Sequence, residues 1–167
     1  MTIADLNAAE RASFVAAVGF AFESSPWIAE LASERRPFAD LEALTACMNA
    51  IVAESPLERR VALIAAHPDL AGRLAREGRL TPASTREQAS AGLDRLTPEE
   101  TARFNAHNAA YRERFGFPFV ICVRQQTKDS ILDALERRVR NDRETEIAMA
   151  LSEIGKIARL RLGDVVE

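Results

Sequence analysis

What most narrows the fold of this chain is its punctuation: polar side chains set just before prolines, or three residues ahead of a glutamate, recur along its length. The first backbone N–H groups of a helix have no intrahelical partner. A preceding Ser, Thr, Asp or Asn side chain satisfies one of them, and a proline, which has no N–H to satisfy, fits the first helical position. Thr97-Pro98-Glu99-Glu100 combines cap, proline and returning glutamate. It predicts a long helix with Phe104, Asn108, Tyr111 and Phe115 on one stripe, closed by Gly116. The same reading starts a helix at Asn7 to Glu10 carrying Phe14, Val15, Val18 and Phe22. Others start at Ser25-Pro26 and at Asp40, the latter with Leu41, Leu44, Met48, Ile51 and Val52 on its apolar stripe. Ser55-Pro56-Leu57-Glu58 opens one running toward Ala66, and Ser84-Thr85-Arg86-Glu87 reads as a capping box for a short helix ending at Gly92. Helices resume near Asp129, with Ile131, Leu132, Leu135 and Val139, and again at Asn141 to Glu144, with Gly163 as the stop.

Between these segments, a short turn is expected through Leu70 to Ala75 and a loop from Arg76 to Ala83, which holds Gly78 and Pro82. The run Phe117 to Val123 is apolar and β-branched, and periodicity alone admits a strand or a buried extended connector. A lone strand would have no partner, which favours the connector. No repeat, low-complexity tract or linker divides the chain. The expectation is therefore an all-α fold, one domain over residues 1–167, built as an irregular bundle of about seven to nine helices.

With 167 residues and 47% hydrophobic content, the chain has the apolar material for a core. Its net charge is −3 with both signs interspersed, which argues against a nucleic-acid partner. Asp5, Glu10 and Arg11 interrupt what would have to be a signal core, and no run is as long and apolar as a membrane span, so a cytoplasmic protein is expected. Cys47 and Cys122 are too few and too far apart in sequence for a disulfide framework or a metal pair.

The two histidines form no zinc signature, so no metal is expected, and there is neither a phosphate-cradling glycine loop nor a serine-nucleophile elbow. A cofactor-free acid/base site remains, and His67 suits it because imidazole titrates near neutrality. Pro68 disfavours helical geometry at the residue before it, placing His67 at or near a helix end. A helix-terminating histidine with a satisfied hydrogen bond is the plainer alternative. Glu87 is equally explained as the capping-box glutamate three residues after Ser84. Gln88 is either a surface amide or a ligand-binding group, and His107 reads as partly exposed on a helix. Arg124 and Arg161 can each fork a carboxylate or remain solvated charges.

Several motifs taken together resemble one family, the decarboxylases acting on 2-oxo-4-hydroxy-4-carboxy-5-ureidoimidazoline (OHCU) in urate breakdown. They are Phe22-Glu23-Ser24-Ser25-Pro26-Trp27, His67-Pro68-Asp69-Leu70-Ala71-Gly72, Ser84 through Leu93, Phe115 through Arg124, and Ile154 through Leu162. The resemblance spans nearly the whole chain. It implies a cofactor-free carboxy-lyase giving (S)-allantoin, all-α and commonly homodimeric, with OHCU as its small-molecule partner and no role for nucleic acid or membrane. It also implies His67 as the catalytic acid/base, Glu87 as its assistant and Arg161 as a holder of the anion. Pro68, Ser84, Thr85, Arg86, Glu87, Gln88, Phe119, Val120, Ile121, Cys122 and Val123 would line the substrate pocket. Two rivals stand beside it: a lyase or isomerase using the same histidine on another small carboxylate, and a helical binding module without catalysis.

Overall fold

The computed structural model describes residues 1–72, 75 and 77–167. The parts of the expected turn and loop at residues 73, 74 and 76 lie outside the described residues. Those residues hold nine α-helices, two 3-10 turns and no strand, in agreement with the all-α expectation. In chain order the helices are α1 (Ile3–Ala8), α2 (Arg11–Val18), α3 (Trp27–Ser33), α4 (Leu41–Glu54), α5 (Leu57–Ala65), α6 (Pro82–Ser90), α7 (Pro98–Phe115), α8 (Lys128–Arg138) and α9 (Arg143–Gly163). The chain forms two compact units, one made of Met1–Ala66 with Ile154–Glu167 and the other of His67–Glu153, with α9 contributing to each.

In the first unit, Phe14, Ile28, Leu44, Met48, Ile64, Ala158 and Leu162 are fully buried. Asp40 caps α4 as expected, accepting from the Ala43 N–H at 2.7 Å. Three expectations need correction here. Asn7 does not open a helix but lies inside α1, which Thr2 caps in a reciprocal box with Asp5. Its amide instead exchanges two hydrogen bonds of 2.8 Å with the Phe38 backbone. Pro26 occupies the cap position of α3 rather than its first turn. The box expected at Ser55 does not form: the Ser55 hydroxyl donates back to the Ile51 carbonyl at 2.7 Å, a bond a hydroxyl makes readily at the end of the preceding helix.

In the second unit, Tyr111 is at the centre of an aromatic cluster, with ring centroids 4.6 Å from Phe115, 5.3 Å from Phe119 and 6.2 Å from Phe117. Such pairs each add about 0.5–1.5 kcal/mol beyond area burial. Thr97 and Glu100 form the expected box on α7, and Gly116 closes that helix at φ +79, where a side chain would be strained. The segment after it is a buried connector with no assigned strand, passing into a 3-10 turn at Val123–Gln125. On α8 the expected stripe differs at its end: Arg138 is buried, and Val139 is the half-buried C-cap.

The capping box at Ser84 is also corrected. Thr81 caps α6, accepting from the Ser84 N–H at 3.3 Å, and Pro82 takes the first helical position. Ser84 is therefore inside the helix and buried, and Glu87 has no cap to reach back to.

Candidate active site

His67 follows the C-cap of α5, residue Ala66, and is 7% exposed. Helix termination before Pro68 thus places it where the sequence reading put it. The next four residues turn sharply. Ala71 adopts φ +51, a left-handed conformation that costs a non-glycine residue about 1–2 kcal/mol. Gly72 follows, where a Cβ would lie 2.8 Å from the Asp69 Cβ, so no larger residue fits without displacing the turn.

Three side chains distant in sequence hold this turn. The Gln88 Oε1 accepts from the Ala71 N–H at 2.9 Å in a buried setting. Asn108 Nδ2 donates to the Leu70 carbonyl at 2.8 Å, also buried. Arg112 pairs with Asp69 at 2.9 Å on the more exposed side. Buried backbone groups without partners cost about 1–3 kcal/mol each, so the first two bonds carry more of the turn's definition than the exposed ion pair. Sequence reasoning missed Asn108 and Arg112. The available signal was a polar Asn108 within the apolar stripe of α7, with Arg112 one helical turn on.

Within α6 the expected substrate-binding run splits by helical face. Ser84 and Gln88, four residues apart, are buried, and Glu87 is half-buried beside them. Thr85 and Arg86 are exposed. A cleft of about 470 Å³ is lined by Ala71, Thr85, Gln88, Leu93 and Thr101 among others, and His67 is not among its described lining residues.

Phe119, Val120, Ile121, Cys122 and Val123 are all buried. Two of their backbone groups are committed to the protein itself. The Val120 carbonyl accepts from Arg138 Nη1 at 2.8 Å, and the Cys122 N–H donates to Glu153 Oε2 at 2.8 Å. Beneath the connector, Glu146 is fully buried. It accepts from the Arg138 Nε at 2.7 Å, the Tyr111 hydroxyl at 2.5 Å and the Asn141 amide at 2.9 Å. Burial, and then the hydrogen bond to this carboxylate, push the Tyr111 phenol well above its ordinary range.

Arg161 belongs to the other unit and is 3% exposed. Its Nη1 is 2.9 Å from the equally buried Glu23 and also donates to the Phe20 and Ala21 carbonyls at 3.5 Å. His107 is partly exposed on α7, as expected, with Nε2 3.3 Å from Glu136. Among the described residues no group of three or more His, Cys, Asp or Glu side chains is arranged to hold a metal ion, and no helix is long and apolar enough to cross a membrane.

Residues 7–163 match the family model described as OHCU decarboxylase. A Haloferax volcanii protein named 2-oxo-4-hydroxy-4-carboxy-5-ureidoimidazoline decarboxylase is 42% identical over 164 residues, covering 98% of this chain and 95% of its own. A Mus musculus protein of the same name is 38% identical over 166 residues, covering 99% and 93%. The fold resembles a crystal structure of (S)-allantoin synthase with a TM-score of 0.80 and 32% identity over 99% of this chain, which spans 54% of that longer one. It also resembles a crystal structure of OHCU decarboxylase in the presence of (S)-allantoin, with a TM-score of 0.70 over 93% of this chain and 97% of that one. At 23% identity, that second likeness bears on the fold alone.

Proposed function

Because this chain belongs to the OHCU decarboxylase family, we propose that it removes carbon dioxide from OHCU and delivers (S)-allantoin in urate breakdown, with His67 as the proton-transfer residue. The observation that carries this reading is the turn after His67. A strained Ala71 and a sterically required Gly72 are held by Gln88 and Asn108, a construction that fixes a buried histidine at a helix end. Strain of this kind persists only where surrounding bonds over-determine the backbone, and it clusters at functional sites.

The chemistry fits a protein without an electron sink of its own. Breaking the bond between the ring carbon and the carboxylate leaves an electron pair that the adjacent ring delocalises as an enolate-like intermediate, so no pyridoxal or thiamine is needed. His67 either takes the proton of the hydroxyl on the carbon that loses the carboxylate, which becomes a ring carbonyl, or returns one to the adjacent ureido-bearing carbon from a single face. One-sided return gives one enantiomer, whereas the same step free in water gives both. Glu87 assists the imidazole or the substrate, with Pro68, Ser84, Gln88 and the connector contributing contacts. The resemblance assigns Arg161 the substrate's anion, a role beside its buried pairing with Glu23. The same reading takes residues 1–167 as one functional domain, active as a cytoplasmic homodimer.

The test is to generate OHCU in situ from urate and follow carbon dioxide release together with circular dichroism of the product. Accelerated release with (S)-allantoin accumulating is expected, and His67→Asn should abolish both while the far-ultraviolet spectrum stays native. A racemic product at the uncatalysed rate with the wild-type protein would refute the assignment.

A further inference from the structure

Among the described residues no strand lies beside the connector, so its buried backbone groups must find partners elsewhere. The protein itself meets two of them, two residues apart: Arg138 binds the Val120 carbonyl and Glu153 the Cys122 N–H, each at 2.8 Å. Arg138 is rigidly held for the task. Its Nε is bound by Glu146 at 2.7 Å, its guanidinium carbon lies 4.5 Å from the Phe119 ring centroid, and Tyr111 and Asn141 fasten Glu146 in turn. Burying a guanidinium and a carboxylate is costly, and replacing such a pair with apolar residues is often neutral or stabilising. Retaining it here is better explained by the orientation it imposes on the connector than by stability.

We propose, on the reading that this chain decarboxylates OHCU, that Arg138 and Glu153 are positioning residues. They hold the Val120 carbonyl and the Cys122 N–H against the protein, so that the N–H and C=O groups of the alternate residues Phe119 and Ile121 meet the ureido and ring amides of the substrate. Arg138 fixes a carbonyl and Glu153 an N–H two residues on, which sets both the rotation and the register of the segment. Neither residue takes part in proton transfer, so their loss weakens binding of substrate rather than the chemical step.

The decisive variants are at Glu153, which is only half-buried and whose replacement leaves the Arg138–Glu146 pair intact. Glu153→Ala removes the acceptor, whereas Glu153→Gln keeps a carbonyl oxygen for the Cys122 N–H. With OHCU generated from urate, Glu153→Ala should raise KM about five- to ten-fold and leave kcat within about two-fold. Glu153→Gln should return KM to near the wild-type value. Arg138→Lys, which retains charge but cannot serve Val120 and Glu146 together, should show the same KM-dominated loss. A folded Glu153→Ala protein with unchanged KM and kcat overturns the inference even if its melting temperature falls, because that is the signature of a purely structural bond. Wild-type protein without decarboxylase activity overturns the functional reading instead, and the inference with it.

Discussion

Gln88 accepts a buried hydrogen bond of 2.9 Å from the backbone N–H of Ala71, seventeen residues earlier in the chain. That one bond ties helix α6, which carries Glu87, to the turn that carries His67. Gln88→Leu would remove this acceptor from the buried Ala71 N–H, at a cost of about 1–3 kcal/mol. The expected outcome is a lower urea midpoint together with a loss of kcat, while Gln88→Glu, which keeps the acceptor, retains more of both. A Gln88→Leu protein with wild-type stability and turnover would show that the turn holds itself.

Glu87 can be examined free of its former ambiguity, because Thr81 caps α6 and Glu87 does not. Thr81→Ala should destabilise the protein by about 1 kcal/mol, and Glu87→Gln by much less. Turnover should move the other way, falling for Glu87→Gln and staying near wild type for Thr81→Ala. Equal activity in the two variants would remove Glu87 from the chemistry.

Arg161 and Glu23 are a buried pair, 3% and 5% exposed, so removing one partner takes a buried opposite charge from the other. Arg161→Ala should lose about 3–5 kcal/mol in chemical denaturation. Arg161→Lys keeps the charge without the planar fork. If Arg161 holds the substrate's anion, this variant folds and its KM rises; an unchanged KM would reduce Arg161 to its structural pairing.

Tyr111 is the chain's single tyrosine, so tyrosinate absorbance reports on it alone. Burial and the bond to Glu146 raise its proton affinity in the folded state. The sign follows directly: a raised acid contributes stability in full below the unfolded value of about 10 and loses it as pH rises beyond that. Tyrosinate should therefore appear only together with unfolding at high pH. Reversible titration near pH 10 with native circular dichroism would contradict the buried Tyr111–Glu146 bond.

Much of this protein was legible in its sequence because the information is local. Thr97, Pro98 and Glu100 start α7, Asp40 starts α4, Gly116 stops α7 and Pro68 ends the helix before His67, each through groups within four residues of one another. Where two local signals competed, packing chose between them. Thr81-Pro82 has the same cap-and-proline form as Thr97-Pro98, and it displaced the box at Ser84, whose side chain is buried within the helix instead. Ser55 turned back to Ile51, and Asn7 was taken by the Phe38 backbone thirty-one residues away. The helical class, the helix-end placement of His67 and a buried connector between helices all follow from local sequence. The side chains that hold them are chosen by packing: Gln88 and Asn108 on the turn, Arg138 and Glu153 on the connector. The physical reason is distance along the chain. A cap closes on a neighbour whatever the fold, whereas a buried amide or carbonyl takes the polar side chain that packing brings within 3 Å of it, and that partner has no fixed spacing in the sequence.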